Sequence, residues 1–218
     1  LMVQINGIVN EYIHVEKPDQ EAVPSRQFDI SKIDFELLSR EFAHTRRKNL
    51  LLRDLDELVN QQLAKMLFAN PQRIDYYDRY QEIIDAYNAE QNRATIEKTF
   101  MDLMELASSL DTEQQRYVRE GFSSDEELSV YDLLFSENLT KQEIETIKKV
   151  SVDLLTKIKQ QIAKLDHWTD KQETKAIVDN LIRKTLWQEL PNSYDVSDIQ
   201  TYQKKIYEYV YMRYPEVA

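Results

Sequence analysis

The feature that most constrains this chain is one long amphipathic segment between Leu139 and Leu165. Its apolar side chains recur every three or four residues, which places them on one stripe of an α-helix. Thr140 followed by Glu143 is a capping-box signature, so the start of the helix is well marked. A helix roughly 40 Å long has to bury this stripe against several shorter helices. The apolar positions are Ile144, Ile147, Leu154, Leu155, Ile158, Ile162 and Leu165.

Glycine and cysteine are scarce, and their scarcity excludes several kinds of site. The 218 residues include two glycines and no cysteine. P-loops and dinucleotide-binding fingerprints need several closely spaced glycines, and a hairpin-rich β fold needs many turns with positive φ. Disulfides, zinc–cysteine sites and thiol nucleophiles are excluded because cysteine is missing. Together with the helical periodicity along the chain, this composition predicts an all-α protein.

The net charge of −11 opposes binding of nucleic-acid phosphates across the whole protein surface, but it permits a local basic patch. No apolar run approaches the roughly 20 residues of a membrane span, and we expect no signal peptide. We therefore expect a cytoplasmic protein without a membrane segment. The sequence begins inside an apolar stretch at Leu1 and Met2, so we expect a piece of a longer chain.

The helical patterns predict an N-terminal arm followed by two helical subdomains. Residues 1–27 carry Pro18 and Pro24 in a polar segment without periodicity, which is typical of a linker or extended arm. The subdomains are predicted at residues 28–120 and 121–218, because Gly121 suits the left-handed position after a helix end. We expect a bundle of about eight helices with short connections.

Residues that favour caps mark the expected helix ends. Asn70-Pro71 should end one helix and start the next. A further helix, which carries Ile96 to Leu110, is expected to be interrupted near Asp111 and to end at Gly121. The other predicted starts are Asp29 or Ser31, Ser124 with Glu127, Thr169 with Gln172, and Ser197. The helix after Thr169 is expected to carry its apolar stripe at Ile177, Val178, Leu181, Thr185 and Leu186.

Histidines are few, and none forms a convincing catalytic group. Glu11 with His14 and Glu41 with His44 match the Glu-x-x-His spacing of di-iron helical bundles. Such a site also needs a glutamate from each of two further helices, so we expect surface or capping roles instead. His167 at a helix–helix turn is expected to interact with a helix C-terminus. No catalytic, cofactor or metal residue is predicted.

Two groups of side chains are candidates for contact with other molecules. One is a basic cluster near Arg40, which is either a solvated helix start or a contact for DNA or an acidic partner. The other is a second aromatic face on the last helix, which is either fully buried or a protein interface. The DNA or acidic-partner candidates are Arg46, Arg47, Lys48 and Arg53, and the partner candidates are Tyr207, Tyr211 and Tyr214.

Three blocks of sequence together resemble one known family. The first covers residues 28–88 and contains Asn70-Pro71-x-Arg73-Ile74-Asp75. The second covers residues 121–134, with Glu126-Glu127-Leu128 and Tyr131-Asp132, and the third covers residues 139–194. In this order they resemble the C-terminal helical region of the R subunit, the restriction and motor subunit, of type I restriction-modification enzymes.

The resemblance implies a non-catalytic assembly module. The parent subunit would be an ATP-dependent DNA translocase and endonuclease, with ATP and Mg²⁺ bound in domains that precede this region. The region itself is implied to dock the motor subunit onto the methyltransferase and specificity subunits, and to reach DNA through the full complex. The alternatives are a free-standing helical interaction or regulatory protein, or a helical domain that contacts DNA directly.

Overall fold

The computed structural model describes residues 33–215, and every regular element in that range is helical. The predicted all-α class is confirmed, while the predicted arm at residues 1–27 lies outside the described residues. No described helix is long and apolar enough to cross a membrane. The nine described α-helices and one 3-10 turn are α1 (Phe35–His44), α2 (Lys48–Ala69), the turn Pro71–Arg73, α3 (Ile74–Ala89), α4 (Arg93–Gln114), α5 (Arg116–Arg119), α6 (Asp125–Leu134), α7 (Lys141–Ile162), α8 (Gln172–Glu189) and α9 (Val196–Arg213).

The chain forms two compact units, which divide between Arg116 and Tyr117. In the described part of the first unit, α4 packs against α2 and α3. Apolar residues at three- and four-residue spacings on α2 and α4 supply most of the core. Phe42 of α1 stacks on Phe100 of α4 with 3.6 Å between ring centroids, and both rings are buried.

The start of α1 has a side-chain cap. Its cap is Asp34, whose carboxylate accepts a hydrogen bond of 2.9 Å from the Leu37 N–H. The predicted cap residues Asp29 and Ser31 lie outside the described residues. A cap must lie directly before the first helical residue, here Phe35, because its side chain has to reach an N–H in the first turn.

The junction between α2 and α3 follows the prediction for Asn70-Pro71. The Asn70 side chain accepts a hydrogen bond of 3.1 Å from the Gln72 N–H. Pro71 occupies the first position, where an N–H would have no partner within the helix. The first turn is 3-10, and α3 begins at Ile74.

The predicted interruption near Asp111 lies four residues later, at Gln115, since α4 runs without a break to Gln114 and α5 begins at Arg116. Two side chains of its last turns explain the continuity. Leu110 is fully buried in the core of the first unit, and Glu113 is buried against Arg73. A break at Asp111 would separate Glu113 from Arg73.

In the second unit, α7 packs against α6 and α8, and α9 packs against α8 and α6. The capping box of Thr140 and Glu143 is confirmed at the start of α7. The predicted stripe forms its buried face as far as Ile162, although Ile144 is only half-buried. The predicted extension to Leu165 is wrong, because α7 ends at Ile162 and Leu165 lies in the turn after it. The buried residues of α7 are Ile147, Val150, Ser151, Leu154, Leu155, Ile158 and Ile162.

The predicted capping box at the start of α6 forms only in part. The Ser124 hydroxyl accepts a hydrogen bond of 3.3 Å from the Glu127 N–H. The Glu127 carboxylate, however, accepts a hydrogen bond of 2.8 Å from the Ser123 N–H, whereas a capping box uses the N–H of the cap residue itself.

The predicted starts of α8 and α9 are wrong. Lys171 precedes α8, whereas the Thr169 hydroxyl donates a hydrogen bond of 3.3 Å to the Pro215 carbonyl oxygen and so is not a cap. Asp195, not Ser197, precedes α9 and forms a capping box with Asp198. An aspartate side chain accepts hydrogen bonds from the first backbone N–H groups of a helix. Its full negative charge also lies beside the positive end of the helix dipole, which favours aspartate at this position.

The buried face of α8 is also rotated from the prediction. Ile177 is 43 % exposed and Leu181 is half-buried, whereas Ile182, which was not predicted, is fully buried. Apolar residues lie on both sides of this helix, so periodicity alone does not choose between them. The buried row is Val178, Ile182, Thr185 and Leu186.

Candidate functional site

The Arg73 side chain, in the first sequence block, is buried in an ion pair. Its Nε lies 3.0 Å from Oε1 of Glu113, and the two side chains are 3 % and 10 % exposed. Arg116 Nη1 lies 3.1 Å from the same oxygen. A buried charge is tolerated when it is paired and hydrogen-bonded. This block therefore joins the start of α3 to the end of α4.

A second polar group of the first unit surrounds the Tyr80 hydroxyl. It donates a hydrogen bond of 2.8 Å to Oδ1 of Asp56 and accepts one of 3.1 Å from Nδ2 of Asn60. Burial raises the pKa of the Asp56 carboxyl, and the hydrogen bond from Tyr80 opposes this rise. The group links α2 to α3 within the core.

The second sequence block, around Gly121, also makes structural contacts. Gly121 has a φ of +84°, and the Phe122 N–H donates to the Tyr117 carbonyl at 2.8 Å, as in a Schellman motif. Glu126 pairs with Lys159 of α7 and lies 3.7 Å from Arg213 of α9. The acidic residue of this block thus ties three helices together.

In the third block, Tyr194 plays a comparable part. Its buried hydroxyl donates a hydrogen bond of 2.7 Å to the Leu134 carbonyl oxygen at the end of α6. Burial raises the pKa of the Tyr194 hydroxyl, which keeps it protonated as a donor. The connection between α8 and α9 is held in place by this bond.

The predicted basic cluster divides into two pairs of residues. Arg46 and Arg47 lie in the connection between α1 and α2, are exposed, and make no ion pair with a described residue. Lys48 is paired, with Nζ 2.6 Å from Oε1 of Glu97. Arg53 is exposed on α2 and lies 3.8 Å from Asp54. Arg46 and Arg47 are therefore the members most available to another molecule.

The connection that holds Arg46 and Arg47 borders a surface depression of about 560 Å³. A further cation, Arg93 of α4, was missed because it lies far along the chain and joins the cluster only through packing. Arg93 and Lys48 both hydrogen-bond Glu97 and lower the pKa of its carboxyl, so Glu97 stays ionised and offsets part of the positive charge. The lining residues are Thr45, Arg46, Arg47, Lys48, Asn49, Leu50 and Arg93.

Trp168 lies in the connection between α7 and α8. The predicted partner residues Tyr207, Tyr211 and Tyr214 lie around it. The Tyr207 and Tyr211 rings meet the buried Trp168 ring edge-on, with centroid distances of 6.2 and 5.7 Å. Tyr211 is 38 % exposed, and Tyr207 and Tyr214 are half-buried. Much of this aromatic surface is therefore used inside the second unit.

The Glu-x-x-His pairs contribute little to a described site. Glu41 and His44 are both exposed near the end of α1, while Glu11 and His14 lie outside the described residues. Across residues 33–215, no group of three or more histidine, aspartate or glutamate side chains is arranged to hold a metal ion. His167 has a φ of +45°, and its Nδ1 lies 2.6 Å from Oδ1 of Asp166.

A protein-family model for the C-terminal region of the "Type I restriction enzyme HindI endonuclease subunit-like" family matches residues 7–214. The matched range includes all three sequence blocks. The chain belongs to this family. The predicted resemblance is thereby confirmed, and family membership implies a role within a multi-subunit restriction enzyme. Comparison with curated proteins and with solved structures found no match.

In this endonuclease-subunit domain, the most exposed aromatic side chain among the described residues was not predicted as a contact. Trp187 on α8 is 50 % exposed. Periodicity did not reveal it, because apolar residues lie on both sides of α8. Only the packing of Val178, Ile182, Thr185 and Leu186 into the core leaves Trp187 on the outside.

Proposed function

We propose that this chain is a non-catalytic assembly domain, which docks the endonuclease subunit onto the methyltransferase and specificity core of a type I restriction enzyme. One observation carries the proposal. Two charged residues of the sequence blocks, Arg73 and Glu126, each join helices within their own unit. Their positions suit a scaffold, and large apolar side chains such as Trp187 remain exposed on its surface.

In this proposal the domain binds no cofactor. ATP and Mg²⁺ belong to other domains of the endonuclease subunit, and the complex acts on DNA in the cytoplasm. Exposed apolar side chains of a scaffold are typical of protein–protein contacts. The partner is therefore expected to bind with modest dependence on salt, unlike a phosphate-binding surface.

A pull-down of this chain with its methyltransferase–specificity core tests the docking function. The experiment is run at moderate and high salt, with and without target DNA. We expect retention without DNA that survives high salt, because apolar contacts are not screened. Failure to bind the core, together with a DNA mobility shift at low salt, would refute the docking function.

Direct contact with DNA is the second candidate function, and one observation favours it. Arg46 and Arg47 are exposed beside the depression and have no described ion-pair partner. We expect R46E/R47E to weaken DNA binding at low salt and to reduce the slope of log K against log salt by about two. The control K65E/K98E makes the same charge change on the same unit. Equal losses in both variants would indicate a non-specific charge effect.

A further inference from the structure

Helix α8 exposes one face that combines apolar and cationic side chains. Successive residues of a helix advance by about 100°. Five positions of α8, named below, therefore lie on one side of the helix across three turns, opposite the buried row. Trp187 and Ile177 are 50 % and 43 % exposed. We call this surface the α8 outer face, and it consists of Ile177, Asn180, Arg183, Lys184 and Trp187.

The α8 outer face carries positive charge without a carboxylate. Arg183 donates a hydrogen bond of 2.7 Å to Oδ1 of Asn180, and Lys184 is exposed with no described ion-pair partner. Positive charge is therefore left on this face, although acidic side chains outnumber basic ones in the second unit.

Two of the three acidic residues of α8 have partners on other helices. Asp179 accepts a hydrogen bond of 2.8 Å from Gln203 of α9. Glu189 lies 2.5 Å from Lys157 of α7. Glu173 is exposed in the first turn, ahead of Ile177. Between Ile177 and Trp187, the accessible charges are therefore cationic.

We propose that the α8 outer face docks into an apolar groove with a carboxylate rim on a protein partner. This inference rests on the docking function proposed above and identifies the surface that performs it. Tryptophan and arginine are the side chains most often dominant at interface centres. Apolar residues three turns apart on one helix suit a groove that accepts a helix. Carboxylates at the rim would pair with Arg183 and Lys184.

Other occupants fit this face less well. A two-fold contact between two copies of the chain would bring Arg183 and Lys184 of one copy close to the same two residues of the other. Charge repulsion disfavours this contact. Nucleic acid is bound through many phosphate contacts, whereas this face offers two cations on an acidic unit. Charge complementarity therefore favours a protein surface with carboxylates.

Binding of the chain to the methyltransferase–specificity core, measured by calorimetry, tests the inference. We expect W187A to weaken binding about 30-fold, as at an interface hot spot, and R183E/K184E to weaken it at least tenfold through repulsion at the rim. V196S is the control for W187A, since Val196 is 54 % exposed in the same unit. K204E/K205E makes the same charge change on α9.

Circular dichroism should show the same thermal unfolding for the wild type and R183E/K184E, so that variant reports on binding even if W187A is unstable. Wild-type binding with no loss in R183E/K184E or W187A relative to the controls would overturn this inference but leave the docking function intact. Absence of wild-type binding to the core would overturn both. A dimer that W187A dissociates, or a loss of DNA binding in place of core binding, would overturn the inference in favour of another occupant.

Discussion

The indole Nε1 of Trp168 donates a hydrogen bond of 2.6 Å to the backbone carbonyl oxygen of Tyr214. Trp168 is buried in the connection between α7 and α8, and Tyr214 directly follows α9. The bond therefore fastens the end of the last helix to a turn far earlier in the second unit. Thr169 adds a second link through its hydroxyl to the Pro215 carbonyl.

Replacing Trp168 should loosen the end of α9. We expect W168F to lower the free energy of unfolding of the second unit by about 1–3 kcal/mol, because the Tyr214 carbonyl loses its donor and the smaller ring leaves a gap. Chemical denaturation measures the change. W187F changes the same residue type at an exposed position and should alter stability by no more than about 0.5 kcal/mol. Equal effects would contradict the structural role of Trp168.

Removing Arg73 should destabilise the first unit. We expect R73M to cost about 3 kcal/mol, because Glu113 would keep a buried charge with Arg116 as its remaining ion-pair partner. Urea denaturation followed by circular dichroism measures the cost. R79M removes the more exposed pair with Glu105 and should cost less than about 1 kcal/mol. The double variant R73M/E113L should recover part of the loss, and failure to do so would argue against the ion pair as the cause.

Stability of the second unit should depend on pH through Glu126. Burial raises the pKa of its carboxyl, but the hydrogen bond and charge of Lys159, with the charge of Arg213, outweigh burial and lower the pKa below 4.5. The folded-state pKa lies below the unfolded one, so the stabilisation is present above pH 4.5 and is lost as pH falls through the folded-state pKa.

We therefore expect E126Q to be less stable than the wild type near neutral pH, with the difference shrinking in acid. Unfolding measured across this range tests the expectation. K159M should remove most of the same pH dependence, since Lys159 supplies the main interaction that lowers the pKa. A stability difference that stays constant with pH would show that the ion pair is not responsible.

Gly121 should resist substitution because of its backbone conformation. Its φ is +84°, and a Cβ added there would meet nothing within 4 Å. The expected cost of G121A is therefore backbone strain of about 1–2 kcal/mol. G121N should cost less, since asparagine tolerates the left-handed region better. Thermal unfolding compares the two variants, and a neutral G121A would contradict the assignment of strain.

Features that depend on neighbours along the chain were predictable. The α7 stripe, its capping box at Thr140, the Asn70-Pro71 junction and the left-handed Gly121 each rest on residues within about one or two turns of one another. Hydrophobic periodicity and cap chemistry act over that distance, so the residue types alone identify them. The family resemblance was recognisable for a related reason, since it rests on three blocks in order.

Features that depend on contacts between helices needed the tertiary structure. Thr169 satisfies the local rule for a cap, yet its hydroxyl bonds to Pro215, and helix α8 begins later. Arg93 joins Arg46 and Arg47 because α4 packs against α2, and the tyrosines of α9 meet Trp168 because α9 packs against α8. The sequence alone determined the helices and most of their apolar rows. The tertiary structure decided which faces, caps and charges remain available, because burial and pairing depend on residues distant in the chain.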